Sequence, residues 1–466
     1  MRETQGKINM KKTKSILSFL LSILLIISVG CTDNQAVIYD DYLESNSETT
    51  TEINKFQSGN EILSGELTIY TTYFNRQSVF PKLIEEFNKV HPNVKITLVG
   101  PEEETLSSEY VLQTTVELMS GKTADIIDLK HLPYYKYAKS GLFEDLYPYM
   151  EKDSNFNEED YYMNIFEASE YEGGLYSIPS AFLYPLCRLN KQIVKDLNID
   201  ISSYEHISFN QIYEIYERCI EEKKASEDLL ISKYYTNTFF DFLEYAQFVD
   251  EANNIASFNS PKFITYLESV KKINWPKIAD YNYANSFNSL EIDDDNLMTY
   301  TVSWFTDSRF TKLFSEESEE VTRLIPMVSS NGDRLVQTAD EGSLAIMKDP
   351  KNKELAWEFI KFCVEEKDYT KIAIGVGEGE YPFATYNINR KNNLQLLRNV
   401  FGEENKDFVT QVDRWCSELN LLDMHANNLS LQMVINEICE DYYKDLISAE
   451  ECARRVQERV EIYLKE

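Results

Sequence analysis

The protein is 466 residues long and carries 46 Lys and Arg side chains against 78 Asp and Glu, a formal net charge of −32. Such an acidic surface argues against nucleic acid and anionic membrane surfaces as partners, because both are negatively charged. The chain is too long for one hydrophobic core, so its length predicts two lobes or domains.

The first 30 residues have the layout of a bacterial secretory signal. A lysine cluster at positions 11–14 precedes an apolar run over 16–29. Gly30 and then Cys31 follow this run. The run is 14 residues long, which is below the roughly 18–20 apolar residues needed to span a bilayer. Residues 1–30 are therefore predicted to be a signal peptide.

Cys31 goes beyond an ordinary export signal, because a thiol directly after the cleavage site can accept a diacylglycerol. The segment resembles a lipobox, although Ser28 stands where Leu is usual. Two acyl chains suffice for a stable anchor. We predict a lipoprotein held by Cys31 on the extracellular face of the cell membrane. The alternative is an ordinary secretory peptide with Cys31 incidental, and the start codon is left open between Met1 and Met10.

Residues 31–64 are polar and acidic, with the stretch SNSETTTE at 46–53. This composition predicts a flexible tether that holds a folded domain clear of the membrane.

Beyond the tether, short β-rich runs alternate with amphipathic helical patterns. Strands are predicted at 67–71, 94–98 and 124–129, and helices over about 79–90, 106–119 and 133–141. This alternation predicts a parallel, doubly wound sheet. Ligands of such sheets bind beyond the carboxyl ends of the strands. The candidate binding edge is therefore formed by Tyr70–Asn75 and Asp128–Leu132.

The rest of the chain gives coarser signals. Residues 192–275 and 391–466 are predicted to be mostly helical, 353–365 a helix, and 296–305 and 342–347 strands. Six cysteines follow Cys31 without a C-x-x-C pair, so disulfides and buried thiols both remain open. The histidines and acidic runs lack metal-ligand spacing, so no metal site and no cofactor are predicted.

Five stretches occur together in an order and spacing typical of one known family. They are ELTIYTTYFNRQSVFPKLIEEFNKVHPNVKITL (66–98), ADIIDLKHLPYYKYAKSGLFEDLY (124–147), YEGGLYSIPSAFLYPLCRLNK (171–191), MTYTVSWFTDS (298–308) and GSLAIMKDPKNKELAWEFIKFC (342–363). Together they resemble the family 1 extracellular solute-binding proteins of bacterial ABC importers, a group that includes the maltodextrin-binding proteins.

The resemblance implies an α/β fold of two lobes, each a mainly parallel sheet flanked by helices, joined by hinge strands. Residues 65–175 and 340–380 would build lobe 1, and 185–335 and 390–466 lobe 2. The chain would cross between the lobes at 176–186, 336–341 and 381–387.

The implied function is capture of a solute, with a mono- or oligosaccharide favoured, by closure of the lobes. The partners would be the permease subunits of an ABC importer and the membrane through the lipid anchor, with the protein a monomer and not an enzyme. Two alternatives are a sensor lipoprotein that presents its ligand to another receptor and a surface glycoside hydrolase with paired carboxylates.

Sugar sites combine aromatic faces for the rings with polar groups for the hydroxyls. The resemblance places Trp304 at a position that often stacks on ligand, with Asp307 available to accept hydroxyl hydrogen bonds. Their alternatives are a core tryptophan and a helix cap. The remaining candidates lie at strand ends and crossings: Tyr70, Tyr73, Asn75, Asp128, Tyr184 and Tyr381.

The chain departs from the maltodextrin-binding relatives at the positions that grip a polysaccharide. Leu129, Leu132 and Pro133 stand where those relatives carry a tryptophan and an acid–arginine pair, Leu183 replaces a glutamate, and Asn427 falls near a late aromatic. A linear maltodextrin is therefore not expected as the ligand.

Overall fold

The computed structural model describes residues 63–77, 79–101, 108–121, 124–222, 244–272, 298–302, 322–338, 343–365, 386–422 and 428–465. The predicted signal peptide, the lipidation site and almost all of the tether lie outside these ranges. No helix within them is both long enough and apolar enough to cross a membrane.

The elements follow one another in chain order as strands and helices. The strands are β1 (Ser64–Tyr70), β2 (Asn93–Val99), β3 (Ile126–Asp128), β4 (Glu170–Tyr171), β5 (Gly174–Leu175), β6 (Ile178–Pro179), β7 (Ala181–Leu183), β8 (Pro185–Asn190), β9 (Ile207–Ser208), β10 (Val249–Asp250), β11 (Ile255–Ala256), β12 (Met298–Val302), β13 (Thr322–Val328), β14 (Leu335–Thr338), β15 (Ser343–Ile346), β16 (Tyr386–Asn387) and β17 (Leu421–Leu422). The helices are α1 (Tyr73–Gln77), α2 (Val79–Val90), α3 (Ser108–Met119), α4 (Tyr134–Lys139), α5 (Tyr147–Lys152), α6 (Met163–Ala168), α7 (Lys191–Asp196), α8 (Phe209–Glu221), α9 (Pro261–Lys272), α10 (Lys353–Glu365), α11 (Arg390–Phe401), α12 (Lys406–Ser417), α13 (Leu429–Tyr443) and α14 (Ala449–Lys465).

The first sheet has five strands in the order β2-β1-β3-β15-β6. β1 pairs in parallel with β2 and β3, whereas β15 is antiparallel to β3 and β6, so only β15 runs against the others. Both faces of the central strands are covered, because the consecutive residues Ile69 and Tyr70 of β1, and Ile126 and Ile127 of β3, are all almost fully buried. The three early strands expected from the sequence are confirmed as β1, β2 and β3.

Helices α2 and α10 pack against each other beside this sheet. The apolar face expected along 79–90 is buried in α2, and the Phe87 ring lies 5.2 Å from both Phe359 and Phe362 of α10. α10 begins and ends where the sequence predicts, at Lys353 and Glu365.

The second sheet has the order β12-β8-β13-β9. β8 is antiparallel to β12 and β13, and β13 is parallel to β9, so β8 alone runs against the other three strands. Side chains alternate across the sheet. Cys187 and Leu189 of β8 join Ile325 and Met327 of β13 in a core shared with α8, α9, α13 and α14.

A third, smaller sheet joins distant parts of the chain in the order β16-β7-β14-β17. Strands β7, β14 and β16 overlap the three segments in which the resemblance places the crossings, 176–186, 336–341 and 381–387. The Phe182 ring of β7 stacks on Tyr386 of β16 at a centroid distance of 5.5 Å. Three segments that are far apart in the sequence therefore meet side by side.

The mainly helical prediction for 192–275 is only partly correct. Its described part contains α8, α9 and most of α7, but also β9 and a hairpin of β10 and β11. In that hairpin the Asp250 carboxylate accepts a hydrogen bond from the Asn253 backbone N–H at 3.0 Å, and Asn254 has a φ of +57°. Two-residue strands are too short to show an alternating pattern, so only these turn residues marked the hairpin in the sequence.

The six described cysteines are buried thiols, and no disulfide joins them: Cys187, Cys219, Cys363, Cys416, Cys439 and Cys452. The sequence left both disulfides and buried thiols open, and the structure shows buried thiols at these six positions. The nearest pair is in the α13–α14 hairpin, where the Cys439 and Cys452 sulfur atoms are 3.8 Å apart.

Candidate functional site

The carboxyl ends of β1 and β3 meet at one edge of the first sheet, as the sequence predicts. The hydroxyl of Thr71, directly after β1, donates a hydrogen bond to Asp128 Oδ2 at 2.6 Å. Asp128 Oδ1 accepts a second from the backbone N–H of Lys130 at 3.1 Å. Both Thr71 and Asp128 are completely buried. The Asp128 carboxylate thus ties the two strand ends together and sets the shape of the loop beyond β3.

Gly100 allows β2 to end close against the same edge. Its φ is +155°, and a Cβ atom there would lie 2.1 Å from the carbonyl oxygen of Thr71. The Thr71 N–H donates to the Val99 carbonyl at 2.9 Å, which holds the strand ends together. Any side chain at position 100 would push the Thr71 backbone away.

The other predicted residues near β1 have different environments. Tyr70 is buried, and its hydroxyl donates to Glu117 Oε2 on α3 at 2.8 Å. Tyr73, the first residue of α1, is half-buried, and the Arg76 guanidinium lies 5.7 Å from its ring centroid. Asn75 is within α1. Of the two tyrosines, Tyr73 is the one with partly exposed ring surface at this edge.

Tyr184 lies beside the third sheet and is buried. Its hydroxyl oxygen is 3.3 Å from that of Tyr386, and its ring packs edge-on against Trp415 at 6.5 Å. Burial raises the pKa of Tyr184 well above its ordinary value. The side chain therefore packs where the crossing strands meet. Trp304, Asp307 and Tyr381 lie outside the described residues.

A cross-lobe contact that the sequence did not reveal connects α4 to the β10–β11 hairpin. Lys139, in the range predicted for lobe 1, donates to Asn254 Oδ1 at 2.5 Å and to the carbonyl of Glu251, both in the range predicted for lobe 2. Desolvation lowers the pKa of Lys139, and the carboxylates of Glu251 and Asp250 oppose that shift. The ammonium group thus sits between two elements that are remote in the sequence.

Three half-buried tyrosines lie next to this contact on the lobe 1 side. Tyr135 meets Tyr171 edge-on at a centroid distance of 6.0 Å, and Tyr171 lies 6.4 Å from Tyr176. Burial raises the pKa of Tyr135 to about 12, and the carboxylates of Glu251 and Asp250 add to the shift. Rings with hydroxyl tips offer apolar faces and hydrogen bonds together, which suits a sugar.

On the hairpin side of the contact, three polar side chains are linked by hydrogen bonds. Glu251 Oε2 accepts a hydrogen bond from Asn428 Nδ2 at 2.6 Å, and Asn428 Oδ1 accepts from the Tyr463 hydroxyl at 2.9 Å. Lys136 of α4 lies 5.8 Å from the Tyr463 ring centroid. In the sequence only Asn428 carried a signal, as the cap of α13.

The groups around this contact are aromatic rings, hydrogen-bonding side chains and a few charged groups. Among the described residues, no three or more His, Cys, Asp or Glu side chains come together as a metal site. The contact instead has aromatic rings on one side and, on the other, a buried carboxylate and amide that are hydrogen-bonded to each other.

The sequence model of the bacterial extracellular solute-binding proteins matches residues 72–369, well over half of the chain. The chain belongs to this family. No curated protein matches it. The family predicted from the sequence is therefore confirmed.

Solved structures of other solute-binding proteins share the fold of this one. An ABC substrate-binding protein of Listeria monocytogenes in complex with cycloalternan aligns at a TM-score of 0.52 and 16% identity, over 86% of this chain and 100% of its own. Maltose-bound MalE3 of T. maritima gives 0.54 and 15%, over 85% and 99%. A sugar transporter of Rhizobium etli in an open conformation gives 0.56 and 17%, over 85% and 99%. Because the identities are low, these alignments show the fold alone. The predicted two-lobed α/β architecture is confirmed.

Proposed function

We propose that this solute-binding protein is the lipid-anchored extracellular component of an ABC importer, which captures a mono- or oligosaccharide between its lobes and delivers it to a membrane permease. The observation that carries the proposal is the pair of walls around the cross-lobe contact. Tyr135, whose ring packs against Tyr171, lies near Glu251, and Glu251 accepts a hydrogen bond from Asn428; these residues come from the two predicted lobes. Trp304 and Asp307, which follow β12 in the sequence, are proposed to contact the sugar as well.

The third sheet supports closure as the mechanism. Strands β7, β14 and β16 come from the three segments expected to cross between the lobes, and they are hydrogen-bonded neighbours. Bending shared by three adjacent strands moves two lobes as bodies and leaves their cores unchanged. In this proposal the contact of Lys139 with Asn254 belongs to the closed form and stabilises it.

A neutral sugar fits the walls better than an anionic solute. The nearest acidic side chains, Asp250 and Glu251, stand beside Tyr135, and the overall charge of −32 disfavours anions. Relatives of the same fold are described in complex with cycloalternan and with maltose. Because Leu129, Leu132 and Leu183 replace the residues that grip linear maltodextrins, we propose a sugar other than a long linear glucan.

Cys31 supplies the proposed location. A diacylglycerol on its sulfur would hold the protein at the extracellular face of the membrane, and the acidic residues 32–64 would give it reach towards the permease. The basis for this is the signal layout of residues 1–30.

A thermal-shift screen of the full-length chain against mono- and oligosaccharides tests the solute class, with amino acids and polyamines as controls. A sugar at 100 times its dissociation constant is expected to stabilise the folded state by about 2.7 kcal/mol, because ligand binding adds RT ln(1 + [L]/Kd). A rise in the midpoint with a peptide or a polyamine, and with no sugar, would show that the carbohydrate assignment is wrong.

A further inference from the structure

A cavity of about 840 Å³ lies on the second sheet, away from the cross-lobe contact. It is bounded by β8, β13, α7 with the loop that follows it, and α12. All of its lining residues fall within 188–202, 323–324 and 408–415. These ranges belong to predicted lobe 2 alone, so the cavity is separate from the proposed solute site between the lobes.

The alternation of the second sheet puts a cation on the floor of this cavity. Arg188 and Leu324 are cross-strand partners of β8 and β13, and both line the cavity. Their neighbours Cys187 and Ile325 are the next cross-strand pair and enter the apolar core on the other face. Arg188 is only 4% exposed, so its side chain is buried in the floor of the cavity.

The lining is strongly basic in a protein that is strongly acidic. Arg188, Lys191, Lys195 and Arg323 line it against one carboxylate, Asp200. That carboxylate already accepts a hydrogen bond from the Ser202 backbone N–H at 2.8 Å. Such an excess of basic over acidic groups among the described lining residues, within a chain of net charge −32, creates a local field that attracts anions.

Arg323 has a second role, which is to hold the rim of the cavity in place. Its guanidinium donates to the carbonyl of Ile201 and, at 2.9 Å, to the carbonyl of Tyr204. The loop after α7 is thereby fixed against β13, so the cavity is built into the fold of this lobe.

Trp415 provides an independent indication of a ligand. It lines the cavity and is only 3% exposed, yet no described residue accepts a hydrogen bond from its buried indole N–H. Its ring meets Phe408, another lining residue, edge-on at 6.2 Å. Buried donors without an acceptor are rare in native proteins, because each costs stability. An acceptor atom on a ligand would satisfy this donor.

We propose that this cavity binds a small organic phosphate. A phosphate group offers several acceptor oxygens and up to two negative charges, which matches the guanidinium and ammonium donors of Arg188, Lys191 and Lys195. Phe408 supplies aromatic surface for the organic part, and the buried Trp415 indole N–H donates to one of the oxygens of that part. This phosphate site is separate from the sugar site proposed between the lobes. The proposal of a phosphate ligand does not depend on the proposal of a sugar.

The test is a titration of the full-length chain with inorganic phosphate and with glucose 6-phosphate, at constant ionic strength, followed by calorimetry. Saturable binding of both is expected, with glucose 6-phosphate the tighter because its sugar ring contacts Phe408 and its hydroxyl oxygens can accept from the Trp415 N–H. The double variant Lys191→Ala/Lys195→Ala is expected to lose at least tenfold in affinity for both probes, and Trp415→Phe to lose affinity for glucose 6-phosphate.

The matched control is Lys82→Ala/Lys89→Ala, which removes the same charge from α2, remote from the cavity; its phosphate affinity should equal that of the wild type. Thermal unfolding without ligand checks that each variant is folded. The proposal is overturned if neither probe binds, if the double variant binds as tightly as the control, or if glucose itself competes with glucose 6-phosphate. Equal affinity for the two probes would overturn the assignment of an organic ligand. Trp304→Ala should bind both phosphate probes as the wild type does, even if it no longer binds sugar. Failure of the sugar proposal can therefore be told apart from failure of the phosphate proposal.

Discussion

Replacing Trp304 by alanine is expected to weaken solute binding by at least about a hundredfold, because an aromatic ring stacked on a sugar is a dominant contact of such sites. The free energy of unfolding is expected to change little, because the proposed ring surface packs on ligand and not on the core. Calorimetric titration with the sugar found in the screen gives the affinity, and urea unfolding gives the stability.

Trp357 provides the matched control. It is a buried residue of α10, and its indole N–H donates to Asp153 Oδ2 at 3.0 Å. Trp357→Ala is expected to lose about 3–5 kcal/mol of stability and to keep the wild-type affinity. If Trp304→Ala instead behaves like Trp357→Ala, with affinity retained and stability lost, Trp304 is a core residue and its proposed role is wrong.

Replacing Lys361 by methionine is expected to destabilise the protein by about 3–5 kcal/mol at neutral pH, because removing one partner leaves buried charges uncompensated. The Lys361 side chain is 3% exposed, and its ammonium lies 2.6 Å from Asp153 Oδ2 and 2.9 Å from Glu358 Oε2. Urea unfolding measures the loss. Lys353→Met, on the same helix but with a half-exposed side chain that pairs with Glu144, should lose less than about 1 kcal/mol.

The effect of Lys361→Met should also depend on pH. Burial by itself raises the pKa of Asp153, but hydrogen bonds from Lys361, the Asn155 backbone and Trp357 hold it below its ordinary value. A lowered carboxyl pKa stabilises the fold above the unfolded pKa of about 3.9, and this contribution is lost as the pH falls through the folded value. The difference between wild type and variant should therefore shrink below about pH 4. A difference that stays constant from neutral to acid pH would show that lost packing, and not charge, is the cause.

The strands and helices of the first sheet were well predicted because their signals are local. The alternation in β1 to β3 and the helical face of α2 each depend on neighbours a few residues apart, and Lys353–Glu365 is bounded as its pattern indicates. The same holds for the meeting of Thr71 with Asp128, which follows from the rule that parallel strands end at one edge.

The cross-lobe contact escaped prediction because nothing local marks it. Lys139 and Asn254 are brought together only by the arrangement of whole elements, and Tyr135 is one of 31 tyrosines in the chain. Conversely, Tyr70 was chosen for its place at a strand end and Tyr184 for its place in a crossing, while the side chain of each is buried and hydrogen-bonded to other residues. Position along a strand fixes where a backbone ends, but the direction of a side chain also depends on the helices packed against it.

Hydrogen exchange measured by mass spectrometry, with and without the sugar found in the screen, tests the central claim that a solute is enclosed between the lobes. Exchange is expected to slow both in residues 128–139 and in the hairpin 249–256 when the sugar binds, because closure buries both walls around the contact of Lys139 with Asn254. Protection of one wall only, or protection confined to the cavity segment 191–202, would contradict capture between the lobes.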